Sequence, residues 1–81
     1  MGEVFFENVD GARRVIATCS SAEEVNKAIN AFIRTCNENK PKDKQFKLHY
    51  MRLWEEDGMM KIDVGSHTEF FYAPLEFYQN I

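Results

Sequence analysis

Residues 21–36 read Ser21-Ala22-Glu23-Glu24-Val25-Asn26-Lys27-Ala28-Ile29-Asn30-Ala31-Phe32-Ile33-Arg34-Thr35-Cys36, and this stretch decides the class of fold. Ser21 followed by Glu24 is a capping box. The Ser hydroxyl accepts from a free N–H of the first turn, and the Glu side chain reaches back toward the cap. Val25, Ala28, Ile29, Phe32, Ile33 and Cys36 then recur at helical spacing and make one apolar stripe. Glu23, Asn26, Lys27, Asn30, Arg34 and Asn37 make the wet side, with Glu23 and Lys27 four apart in the favourable orientation. Asn39 suits a left-handed cap and Pro41 forbids continuation, so the helix is expected over 22–38. A stripe confined to one side predicts a helix lying on a sheet.

The flanking segments supply that sheet. Asp10-Gly11, Asp57-Gly58 and Gly65-Ser66 each separate apolar or alternating runs, and each dipeptide suits a tight hairpin turn. The first hairpin is expected to pair Glu3–Val9 with Ala12–Thr18, with Phe6 opposite Val15, Val4 opposite Ala17 and Glu7 opposite Arg14. Lys40–Gln45 is a polar connector. Strands follow over Phe46–Glu55, Met59–Val64 and His67–Ala73, forming an antiparallel meander that Pro74 ends. Leu75–Ile81 is too apolar for an idle terminus and is expected to dock on the domain or on a second copy. The class is α+β: a single antiparallel sheet with one packed helix, in the order ββαβββ.

The register of the 46–64 hairpin decides which aromatic residues meet water. A two-residue turn places Met51, Leu53, Met60, Ile62 and Val64 on one face, and Tyr50 and Trp54 on the other beside an Arg52–Asp63 pair. A three-residue Glu56-Asp57-Gly58 loop with a bulge shifts every neighbour by one. Leu48, Tyr50, Trp54, Met60, Ile62 and Val64 then share the core face, with Lys47, His49, Lys61 and Asp63 in water. The second register is preferred because it separates apolar from polar more cleanly.

Composition narrows the functional classes. The 81 residues have room for one domain, residues 1–81. At 44% hydrophobic and 14% aromatic the chain is not a disordered one. It has no apolar run of about 18 residues to span a membrane. Acids in Met1–Glu7 stand where a signal peptide needs bases, so a cytoplasmic protein is expected. Total stability for such a length is about 4–12 kcal/mol, and oligomerisation, a homodimer for instance, is one way to supplement so small a core.

Four kinds of chemistry have candidate residues in the chain. Cys19, Cys36, His49 and His67 lack the close pairs that zinc ligation needs, so no metal and no cofactor is expected. Gly65-Ser66-His67-Thr68-Glu69 is the most specific-looking polar string. Its hydroxyls could cradle an anion and His67 could act as a base, but a turn whose Ser and Thr satisfy backbone groups explains it as well. Lys40, Lys42, Lys44, Lys47 and Arg52, with Tyr50 and Trp54 on the same strand, offer a basic and aromatic platform for nucleic acid. A net charge of -3 opposes phosphate binding. Finally, Glu55, Glu56, Asp57, Asp63, Glu69 and Glu76 make the C-terminal third acidic, and the tip Glu55-Glu56-Asp57 presents three adjacent carboxylates that could enter a basic groove.

The stretch Tyr50–Tyr72, carried by Trp54, Asp57-Gly58 and Asp63-Val64-Gly65-Ser66-His67-Thr68-Glu69-Phe70-Phe71, resembles small, mostly uncharacterised proteins of phages and prophages in Gram-positive bacteria. The resemblance implies a broad class only: acidic phage proteins that block host defence by binding, inhibitors of CRISPR nucleases among them, or nucleic-acid and assembly accessories. It carries over no catalytic residue. The expected function is therefore a non-enzymatic protein-binding module, an inhibitor of a bacterial defence nuclease in the host cytoplasm, with Glu55, Glu56, Asp57, Asp63, Glu69, Trp54 and Tyr50 as contact residues. The alternative is a nucleic-acid-binding accessory using Lys42, Lys44, Lys47 and Arg52.

Overall fold

In the computed structural model, which describes residues 1–79, the apolar stripe forms a helix, α1, over Ala22–Asn37. Ser21 is its N-cap and accepts from the Glu24 N–H at 3.2 Å. The Glu24 carboxylate closes the box one residue earlier than expected, on the backbone N–H (2.6 Å) and hydroxyl (3.0 Å) of Ser20. Those bonds hold the Glu24 carboxyl below its ordinary range. Lys27 and Glu23 stand 3.9 Å apart. The C-terminus differs from the sequence expectation. Asn39 is not left-handed. The last turns tighten instead, with Glu38 N–H donating to Thr35 O and Lys40 N–H to Asn37 O, before Pro41 stops the helix.

Five strands make one antiparallel sheet: β1 Gly2–Glu7, β2 Arg13–Cys19, β3 Arg52–Glu56, β4 Met59–Asp63 and β5 Phe70–Pro74. Their spatial order is β2-β1-β5-β4-β3. The α+β class and the order ββαβββ are as the sequence indicates. Strands β2 and β3 are the two edges, so α1 and the connector carry the chain across one face from edge to edge. That face holds the core. Val25, Ile29 and Ile33 of the helix meet Val4, Phe6, Ile62, Val64, Phe71 and Ala73 of the sheet, all buried. Phe6, Phe32, Phe46 and Phe71 form one aromatic cluster with ring centres 4.7–6.3 Å apart. Each fully buried large apolar side chain contributes about 1.5–3 kcal/mol.

Three connections differ from expectation. In the first hairpin Val4 does face Ala17, but a bulge follows, so Phe5 faces Val15 and Glu7 faces Arg13. Asn8 causes the change: its side-chain oxygen accepts from the N–H groups of Asp10 and Ala12, which widens the turn. Gly65-Ser66 is not a tight turn, since β5 begins only at Phe70. Strand β3 is shorter than Phe46–Glu55. Residues 46–51 form no strand and are tied to the rest by His49 N–H, which donates to Val64 O, and by Asn37, whose side-chain amide donates to Phe46 O and accepts from Phe46 N–H.

The 46–64 hairpin takes the two-residue register, with Glu56 opposite Met59, Trp54 opposite Lys61 and Arg52 opposite Asp63. Asp57 (φ 54°) and Gly58 (φ 80°) both have positive φ, as a type I′ turn requires. This overturns the preferred three-residue loop. Leu48, Tyr50 and Trp54 are exposed, whereas Asp63, expected in water, is buried. Of the C-terminal segment, Phe77 and Tyr78 pack against the core. Asn80 and Ile81, part of the expected docking tail, lie outside the described residues.

Candidate functional site: the open face of the sheet

Helix α1 covers one face of the sheet, and no helix or strand among the described residues covers the other. Strand alternation puts Val15, Phe5, Tyr72, Phe70, Lys61, Trp54, Arg52 and Asp63 on this second face. The row Phe70-Phe71-Tyr72 shows why both faces are aromatic: Phe71 points into the core, and its two neighbours point away. Cations sit over these rings. The Arg13 guanidinium lies 3.9 Å from the centre of the Tyr72 ring. Lys61 Nζ lies 4.2 Å from Phe70 and 5.8 Å from Trp54. Arg52 lies 5.3 Å from Tyr50 and 6.0 Å from Trp54. Contacts of this kind add about 0.5–1 kcal/mol each at exposed sites. Tyr72 is only 1% exposed, although it is on this face, because the long cationic side chains lie across it. Trp54 and Tyr50 remain 37% and 40% exposed.

Every one of these cations is neutralised within the protein. Arg13 Nε donates to Glu7 Oε1 at 2.8 Å, Lys61 Nζ to Glu56 Oε2 at 3.1 Å, and Arg52 Nη2 to Asp63 Oδ2 at 2.9 Å. Each pair bridges neighbouring strands. The titrations follow. Burial pushes the Asp63 carboxyl up, but the bonds from Arg52 and the Gly65 N–H outweigh it, and the group lies below its ordinary value. The Lys61 ammonium and then the Trp54 indole, 3.3 Å from Oε1, hold the Glu56 carboxyl down. Burial opposes the charge on Lys61, but bonds to Glu56 and Tyr72 raise its pKa nonetheless.

The residues singled out from the sequence divide into three groups. Tyr50, Trp54 and Arg52 come together on the open face. Glu55 and Asp57 are exposed at the hairpin tip beyond it, while Glu56 is folded back onto Lys61 and Trp54. Asp63 was expected to touch a partner, but it is 2% exposed and cross-links Arg52 to the Gly65 N–H instead. Glu69 is half-buried and accepts from the Ser66 hydroxyl at 3.0 Å. The basic strand does not stay together. Arg52 belongs to the sheet face, whereas Lys44 and Lys47 line a separate cleft that Lys42 does not reach. Arg13, Lys61, Phe70, Tyr72 and Phe5 were not recognised in the sequence as members of the face. The unbroken aromatic run at 70–72 was the available signal, since no single buried face can take three consecutive side chains of a strand.

As a catalytic string Gly65–Glu69 lacks an aligned pair. Ser66 donates to Glu69 and not to His67, whose side chain is exposed. Cys19 is buried and its thiol pushed up by burial, the reverse of nucleophile activation. Among the described residues no group of three His, Cys, Asp or Glu side chains is placed to hold a metal ion, and no helix is long and apolar enough to cross a membrane. No family model, curated protein or solved structure matches this chain.

Proposed function

We propose that this is a non-enzymatic binding module that recognises a protein partner through the open face of its sheet. One observation carries the reading: the face is built from Tyr, Trp, Phe and Arg, and its cations are already paired. Tyr, Trp and Arg are the side chains enriched at the energetic centres of protein interfaces. Binding to a phosphate backbone draws its energy from unpaired cations that displace counterions, and Arg13, Lys61 and Arg52 are each matched by a carboxylate. Asp57 at the turn, with Glu55 on the other side of the strand, makes the exposed end of the hairpin negative, complementary to a basic surface around an apolar hollow. The resemblance of Tyr50–Tyr72 to phage proteins supports an inhibitor of a bacterial defence nuclease, acting in the host cytoplasm, as the form of this activity.

The test uses wild type and Trp54→Ala side by side. Wild type expressed in cells carrying an RNA-guided nuclease is expected to restore transformation by a targeted plasmid and to co-purify with the nuclease. Trp54→Ala is expected to lose at least about 2 kcal/mol of binding, roughly thirtyfold, with an unchanged circular dichroism spectrum. Equal capture by both proteins would remove the face from the mechanism. A micromolar, salt-sensitive complex of wild type with single-stranded DNA at about 150 mM salt would transfer the function to the nucleic-acid reading.

A further inference from the structure

The two motifs left unused by the sheet face meet at a second site. The connector 40–49 and the loop 65–69 are the walls of a cleft of about 400 Å3 whose lining includes Lys40, Lys44, Lys47, His49 and Ser66. The volume falls in the range of small-molecule sites, about 300–1,000 Å3. Four hydrogen bonds hold the walls in place. Asn37 clamps Phe46 on both its backbone groups, His49 N–H donates to Val64 O, and Asp63 accepts from Gly65 N–H. Gly65 lets the walls approach. It has φ +104°, which L side chains rarely adopt, and a Cβ there would stand 3.1 Å from the His49 Cβ, so that His49 would have to shift by a few tenths of an ångström.

The charge in this cleft is arranged unlike that of the sheet face. Among the described residues the ion pairs use Arg13, Lys27, Arg52 and Lys61, and Lys40, Lys44 and Lys47 take part in none of them. Three lysines outside those ion pairs thus line one concavity of a chain whose net charge is -3. Two acids share the lining, Asp43 and Glu69, the latter accepting from the Ser66 hydroxyl at 3.0 Å, so three lysines face two carboxylates and the cleft keeps a net positive charge. Lysine is a point-charge donor with three N–H groups and suits the tetrahedral oxygens of phosphate. His49 adds a ring nitrogen, and Phe46 gives an apolar floor that packs onto the core.

We propose that the cleft binds a small phosphate-bearing ligand, with Lys44 and Lys47 as the principal anion contacts and Lys40 at the mouth. None of these anion contacts belongs to the sheet face, which meets the cleft only through the Asp63 bond to the Gly65 N–H. Pyrophosphate is the probe, followed by amide chemical shifts at about 50 mM salt, where screening is moderate. Saturable shifts confined to residues 40–49 and 65–69 are expected, with a Kd below about 1 mM. Lys44→Gln/Lys47→Gln should weaken binding at least about tenfold, and as exposed residues they should leave folding intact. Lys42→Gln, outside the lining, and Trp54→Ala, on the sheet face, should leave the affinity unchanged. Shifts that do not saturate, or an equal loss in Lys42→Gln, would overturn the proposal, because the lysines would then act as a diffuse positive surface. A short single-stranded oligonucleotide binding far more tightly than pyrophosphate, and losing that affinity in Trp54→Ala, would overturn it too, since the recognised phosphate would belong to a polymer lying across the sheet.

Discussion

Asp63 joins the two parts of this molecule. One carboxylate oxygen anchors Arg52 on the open face, and the other fixes the Gly65 N–H at the head of the cleft. Asp63→Ala leaves that N–H without its acceptor and should cost about 1–3 kcal/mol. Asp63→Asn keeps an oxygen for Gly65 and should cost less. The pH dependence has a definite sign. The folded carboxyl lies below its ordinary value, so its contribution is complete above the unfolded pKa of about 3.9 and is lost as pH falls through the folded value. Urea denaturation of wild type between about pH 5 and pH 2 should therefore show a steeper loss of stability than the same series on Asp63→Asn. Equal acid slopes would mean that the ion pair adds nothing to folding.

At the scale of elements, turn chemistry prevailed over facial segregation. Asp57-Gly58 has the residues of a type I′ turn, and both adopt positive φ. Gly58→Ala should cost roughly 1–2 kcal/mol for its left-handed backbone, whereas Asp57→Asn should stay within about 0.5 kcal/mol. Denaturation midpoints would check both, and cross-strand NOEs between Leu53 and Ile62 would report the register. The helix was legible because capping and period agree over sixteen residues. The hairpin register was not, because apolar side chains lie on both faces of the sheet and facial segregation does not select it. Tyr72 and Phe70 find cover under cations, a solution that no hydrophobic period encodes. The cleft was legible only as two separate strings, since nothing in the sequence says that Asn37 will clamp Phe46. That clamp is testable. Asn37→Ala removes both bonds and should speed amide exchange at Phe46 and His49, with a cost of about 1–3 kcal/mol. Unchanged exchange would show that the connector is held by its apolar contacts alone.

Across the whole molecule, helix and core occupy one side of the sheet and no helix among the described residues covers the other, with the acidic tip projecting from the β3–β4 end. The tip carboxylates are unequal. Glu55 is exposed, and Glu56 is tied to Lys61 and Trp54. Reversal of charge at each should therefore have different consequences. Glu55→Lys changes the field at the rim and little else, so folding should move by less than about 0.5 kcal/mol. If a basic partner surface is being met, association should slow while dissociation stays nearly constant, because rim charges act on the encounter rate. Raising the salt concentration should shrink the difference from wild type. Glu56→Lys sets a second cation against Lys61 and withdraws the acceptor of the Trp54 indole, which frees the ring that the face presents. Its effect should appear in dissociation, and salt should not abolish it. Surface plasmon resonance with the captured partner at several salt concentrations separates the two. Indistinguishable kinetics for both variants would mean that neither the tip nor the posture of Trp54 enters the complex, and the contact would have to move toward the Arg13–Tyr72 end of the sheet.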